Sequence, residues 1–214
     1  MIQNSFLDVD KQEAYVGTEP VSLDEAKAHC RVDFDDDDTL LTALITAARQ
    51  AIEDYCHISL IAKTITLTLA AAERPSSYFM QPYQVREQFN EFEIPYGPIQ
   101  SVDMVTSIDS DGITVINCAL NSDYYLMGKA FQTIRISNNF SNNILVYTAG
   151  YGTAQGTTPG PIPAGLKLAI LNEVAYRYEA RGEPQNIRAT AFTEEGVSQF
   201  ARVLAKPYIR LNWN

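Results

Sequence analysis

Asp33, Asp35 and Asp37 alternate along the chain, at the spacing of the first, third and fifth ligands of a calcium-binding loop. Such a loop also needs a glycine at its sixth position and a bidentate glutamate at its twelfth, and here those places hold Asp38 and Leu44. The run Asp33, Asp35, Asp36, Asp37 and Asp38 therefore reads as a solvated linker whose last members suit the positive start of a helix. His29-Cys30 and Cys56-His57 offer zinc-type ligands. Adjacent helical residues point about 100° apart, so neither pair can hold one ion together, and the spacing fits no zinc motif. Ala149-Gly-Tyr-Gly152 and Gly128-Lys129 lack the closing Gly-Lys-Ser/Thr of a phosphate loop and read as turns. With only two histidines, and with the neighbouring Cys30 and Cys56 read as core cysteines, hydrolytic chemistry has no support. No catalytic residue, cofactor or metal is expected, and the chain does not read as an enzyme.

Composition points the same way. The 214 residues are 46% hydrophobic, enough for a core, and carry a net charge of −10. Residues 1–60 hold 13 acids against four bases, whereas Gly196 to the end holds Arg202, Lys206 and Arg210 and no acid. An acidic body argues against a grip on duplex DNA, which needs several bases at phosphates. Acidic front and basic tail are suited to meet between copies. No apolar run approaches the roughly 20 residues of a membrane span. The start, MIQNSFLDVDKQ, lacks a signal-peptide pattern, so synthesis in a cytoplasm is expected. Cys30, Cys56 and Cys118 are odd in number and far apart, which suggests free and mostly buried thiols.

The elements that must position these residues follow from periodicity. Residues 1–19 show no clear period and read as an arm. Ser22-Leu-Asp-Glu25 is a capping box opening a short helix that ends near Arg31. Leu41, Leu44, Ile45, Ala48, Ile52, Tyr55 and Cys56 recur at helical spacing, predicting a helix over 38–57. Thr64 to Leu69 alternates as a strand does, and further runs near 89–94, 99–108, 113–116, 124–127, 131–136 and 144–148 extend a β module over 61–150. Asp109-Ser-Asp-Gly112 reads as a hairpin turn. Pro163 suits a first helical position, with Leu166, Ile170, Leu171, Val174 and Tyr178 on one face and Gly182 closing. A weaker helix spans about 194–205 and stops before Pro207. The fold class is thus α+β, a helical core of about four helices in two halves (20–60 and 151–207) with an inserted antiparallel β module.

Two stretches are candidates for contact with other proteins. The connection 74–88 carries Tyr78, Phe79, Met80 and Tyr83, and long aromatic loops in compact domains are often functional. The tail 208–214 carries Tyr208, Ile209, Arg210, Leu211 and Trp213, types enriched at interface hot spots. The competing reading folds the tail back on its own domain.

The segment Pro20 to Asp33 (PVSLDEAKAHCRVD), followed by Asp37 to Ala48 and Glu53-Asp-Tyr55, resembles the opening of tailed-phage head–tail connector proteins. Ala149 to Gly152 with the Pro-rich linker, Leu168 to Arg181 and Leu204-Ala-Lys-Pro-Tyr208 continue the resemblance. Cys30 departs from it, standing where the family prefers Leu. The resemblance implies a structural virion protein of the neck, an adaptor ring of about twelve copies beneath the portal, closed by a head-to-tail interface. Portal protein and a downstream stopper or tail protein are the implied partners, and DNA passes through without sequence-specific binding. The Asp33–Asp38 run is then a candidate for subunit contacts or for a DNA-repelling lumen, and the tail for the portal. The alternative from another class is a β-rich tail or baseplate binding module.

Overall fold

The computed structural model describes residues 7–71, 90–108, 115–136, 142–152, 159–181 and 196–210. They fall into two compact units, one from 17–61 and 151–212, the other centred on 62–150 with the residues up to 16.

The first unit is helical, with α1 (Leu23–Cys30), α2 (Asp38–Cys56), α3 (Ala164–Ala180) and α4 (Gln199–Ala205), then a 3-10 turn at Lys206–Tyr208. The capping box opens α1 as its sequence requires. Ser22 Oγ accepts from the Glu25 N–H at 3.2 Å, and the Glu25 carboxylate accepts from the Ser22 N–H at 3.0 Å. Arg31 and His57, both in the left-handed region, end α1 and α2. Pro163 occupies the N-cap of α3, one residue earlier than its expected place. α2 buries Leu41, Ile45, Ala48, Ile52 and Cys56, and α3 buries Leu166, Ala169, Ile170, Val174 and Tyr178. α3 packs against α1, α2 and α4, so the halves on either side of the β module form one core. The expected last helix begins at Gln199, where Ser198 Oγ accepts from the Ala201 N–H.

The second unit is a pair of antiparallel sheets. The larger has the order β1-β2-β8-β4-β5, with β1 (Leu7–Tyr15), β2 (Lys63–Ala71), β4 (Ile99–Ile108), β5 (Val115–Asn117) and β8 (Asn142–Ala149). The smaller has the order β3-β7-β6, from β3 (Asn90–Glu93), β6 (Tyr124–Gly128) and β7 (Gln132–Ile136). Strict alternation in β2 sends Ile65 and Leu67 inward, opposite Tyr147 and Leu145 of β8. They join Ile99, Val105, Phe92, Tyr124, Ile134 and Ile136 in one core drawn from both sheets. The Tyr147 hydroxyl donates to the Pro95 carbonyl at 2.8 Å, which satisfies the one polar atom of a wholly buried ring. Gly128, at φ +96°, makes the β6–β7 turn, where a Cβ would come within 2.6 Å of the Phe131 carbonyl.

The N-terminal stretch differs from its expectation as an arm. Residues 7–15 pair along their whole length with β2, from Leu7 opposite Ala71 to Tyr15 opposite Lys63. Asp8, Asp10, Lys11 and Glu13 interrupt its apolar pattern, as charges on edge strands commonly do. The Asp109–Gly112 turn and Gly182 lie outside the described residues.

Candidate functional site

The acidic linker is held by its own chain. Lys27 Nζ donates to Asp35 at 2.6 Å and to Asp38 at 2.8 Å, tying the last turn of α1 to the start of α2. These bonds hold the Lys27 ammonium above its ordinary range and the Asp35 carboxyl below its own. Asp37 turns the other way: it accepts from the Tyr178 hydroxyl at 2.5 Å and from Arg181 at 3.2 Å, both at the end of α3. Its hydrogen bond raises the Tyr178 phenol above its usual value. Three of the five aspartates therefore join helices, and Asp33 and Asp36 remain as exposed side chains beside the exposed Phe34.

That division also answers the calcium reading. Asp35 and Asp37, which a calcium loop would aim at one ion, face Lys27 on one hand and Tyr178 with Arg181 on the other. His29 approaches the Asn172 side chain at 3.2 Å, and His57 is the left-handed cap of α2. Cys56 is buried, its thiol pushed up to about 12 by desolvation and directed at the Ala205 carbonyl, 3.6 Å away. Cys30 and Cys118 are only half-buried, which corrects the expectation of mostly buried thiols. Gly150 donates to the Pro98 carbonyl, continuing the β8–β4 pairing one step past Ala149 and Ile99, and Gly152 donates to the Gly160 carbonyl within its loop. Among the described residues, no group of three or more His, Cys, Asp or Glu side chains is placed to hold a metal ion. Nor, among them, is any helix long and apolar enough to cross a membrane.

The beginning of the tail folds back on the helical unit. Tyr208 lies in the 3-10 turn with its ring over Gly165, where a Cβ would meet the hydroxyl at 3.2 Å. The Arg210 N–H donates to the Cys56 carbonyl at 2.9 Å, satisfying a carbonyl of the last turn of α2. Tyr151 stands beside Tyr208, Arg210 and Cys56, its phenol raised to about 12 mainly by burial. Ile209 is exposed. Leu211, Trp213 and the loop residues Tyr78, Phe79, Met80 and Tyr83 lie outside the described residues.

Two buried charge networks organise the helical unit, and neither was singled out from the sequence. Arg49 donates to Glu53 at 2.6 Å and to Glu19 at 2.9 Å, and Glu53 accepts the Leu60 N–H at 2.6 Å. On α3, Glu173 accepts from Arg177 at 2.7 Å and from the Ser198 N–H at 2.9 Å. Each carboxylate fixes the backbone of a segment that lacks regular hydrogen bonds of its own.

Residues 20–114 match the family model described as phage gp6-like head-tail connector protein. No curated protein sequence matches the chain. Among solved structures, a chain from the virion of a native gene transfer agent particle shares the fold with a TM-score of 0.64 and 19% identity. That likeness covers 95% of this chain and 96% of the other. A chain from the neck of an empty gene transfer agent particle, computed with C6 symmetry, gives 0.62 at 18% identity over 94% and 96%. One from the neck of a native particle, computed with C12 symmetry, gives 0.57 at 18% identity, again over 94% and 96%. The chain is thus similar to head–tail connector proteins, as Pro20–Asp33 and Asp37–Ala48 lead one to expect, and it shares its fold, β module included, with these virion and neck chains.

Proposed function

We propose that this protein is a structural virion component, a head–tail connector subunit that forms a ring in the neck between capsid and tail. The observation that carries this reading is the connector-family match at residues 20–114 in a chain whose fold is shared over nearly its whole length with neck proteins. The full-length likeness also favours it over an independent β-rich binding module, because the helical halves and the β module occur together in the neck chains. The protein acts by making contacts, and DNA passes through the ring without being read. Portal protein on one side and a stopper or tail protein on the other are the partners this place requires. An acidic chain suits the role, since a conduit that bound phosphates tightly would slow the DNA it conducts.

Electron microscopy of necks from particles that contain the protein tests the reading, together with native mass spectrometry of the purified chain with portal. Multiple copies in a closed ring at the portal–tail junction are expected. A protein found outside the neck, or one that neither self-associates nor binds portal, overturns it.

A further inference from the structure

We propose that the exposed face of α4 docks on the acidic end of α2 in a second copy of this chain, and that this contact joins neighbours in the ring. The inference rests on the ring reading above and names the surfaces that would close it. On α4, Phe200 and Val203 stand three residues apart and are 76% and 68% exposed, while Ala201 and Ala205 bury the opposite face. Two large apolar side chains on one outward face favour a contact surface over open solvent. Their charged surroundings are basic: Lys206 and Arg210 are exposed, Arg202 lies over the Tyr55 ring, and residues 196–210 contain no acid. Of the acids near this end, Asp54 is exposed, while Glu53 and Glu173 are buried in bonds to Arg49 and Arg177.

The other surface has the complementary make-up. Phe34 is 45% exposed and Leu40 36%, and the exposed acids Asp33 and Asp36 flank Phe34. Apolar side chains can thus meet apolar ones while acids meet bases, and the pairing of like ends would set charge against like charge.

The two surfaces lie at opposite ends of one helix. The Lys27–Asp38 and Tyr178–Asp37 bonds fix the acidic surface at the start of α2. The Cys56–Ala205 and Arg210–Cys56 bonds fix the end of α4 at the close of α2. A helix of 19 residues is about 28 Å long, so one copy cannot satisfy both surfaces with its own residues. Unlike surfaces on opposite ends of a subunit make a head-to-tail contact, the kind that closes into rings.

The test is a Phe34→Cys/Val203→Cys double variant, assembled into necks or rings and oxidised, beside the two single variants and the wild type. Both positions are exposed, so the thermal melt should match the wild type. A ladder of disulfide-linked species above the dimer, found only in the double variant, is the expected result. Rings that form normally and give no ladder overturn the docking and leave the ring reading intact. A wild-type protein that forms no multi-copy assembly in any setting overturns the ring reading, and this contact with it. If the cysteine variant fails to fold, Asp36→Lys and Lys206→Glu serve instead. Each alone should lower ring yield about tenfold and the two together should restore it, and no change or no restoration overturns the proposal.

Discussion

Glu173, wholly buried on α3, holds the backbone N–H of Ser198 at 2.9 Å and so fixes the point where α4 begins. Its second oxygen accepts from Arg177, one helical turn on. Removing Glu173 strands the buried Ser198 N–H and takes the carboxylate from a partly buried Arg177, at a cost of about 1–3 kcal/mol. Glu173→Ala should lose stability of that order in urea denaturation and should free α4, read as faster amide exchange over 197–205. Glu173→Gln, which can still accept from Ser198, should lose less.

The second prediction concerns the helical core. Ile45, Ile52 and Ile170 are all essentially inaccessible to solvent. Ile52→Ala should cost about 2–5 kcal/mol, the usual range for truncating a buried aliphatic side chain. A negligible shift in the denaturation midpoint would show that the packing of α2 on α3 does not carry the core.

The legibility of the fold followed the strength of its local signals. Ser22 and Glu25 announced α1 because their reciprocal bonds depend on four consecutive residues. β2 was plain because its Thr–hydrophobic alternation corresponds to one buried and one open face. The strand β1 is hard to read because its apolar–acid alternation, Leu7-Asp-Val-Asp10, breaks at Lys11-Gln-Glu13, and the rest of its strand character comes from pairing with β2. Arg49, Glu53 and Glu173 were passed over for a different reason. All three fall on the same helical stripe as buried Ile45, Ile52 and Ile170, and charges on an apolar stripe mark buried networks when an i, i+4 partner exists. The acidic run was legible as a linker. Its division into three bonded and two exposed aspartates was not, because Tyr178 and Arg181 lie some 140 residues away in sequence.

The third prediction concerns pH. Lys167, followed by the Ser22 N–H, holds the Glu25 carboxyl below its ordinary 4.5, and Lys27 does the same for Asp35 below 3.8. A lowered folded-state value gives stability that is complete above the ordinary one and lost as pH falls through the lowered one. Lys27 is raised above 10.5, so its contribution is complete below that pH and lost above the raised value. The junction between α1, α2 and α3 should thus weaken at both extremes. Glu25→Gln should flatten the fall in melting temperature below pH 4.5, and high salt should shrink the difference, because the Glu25 and Asp35 carboxylates are exposed.

The fourth prediction separates the aspartates. Asp37→Asn keeps the shape and removes the charge that Tyr178 and Arg181 share, so it should destabilise the isolated subunit by about 1–3 kcal/mol. Asp33→Asn with Asp36→Asn should leave the melt unchanged and act only on assembly. Exposed charges contribute about 0–1 kcal/mol each, so only repetition around a ring makes their loss visible. A normal ring from the double Asn variant would reduce these two residues to solvated surface.

The last prediction concerns the tail, which we propose as the portal contact. Its first residues have a second role, because Tyr208 covers Gly165 and Arg210 bonds to Cys56. Two truncations therefore separate anchoring from docking. Removing 211–214 leaves the anchor in place, so the melting temperature should hold while portal binding weakens strongly. Removing everything after Pro207 also takes away the Tyr208 ring over Gly165 and the Arg210 bond to the Cys56 carbonyl. That variant should lose about 1–3 kcal/mol of stability as well, read as a lower midpoint in urea denaturation. Trp213→Ala alone should cost about 2 kcal/mol of portal affinity if Trp213 is a hot spot. Gly165→Ala tests the anchor independently. The new methyl crowds the Tyr208 hydroxyl at 3.2 Å, so it should loosen the turn without touching the residues that dock. Unchanged portal affinity after removal of 211–214 would confine the tail's function to the anchor and send the search for the portal contact to the rest of the chain.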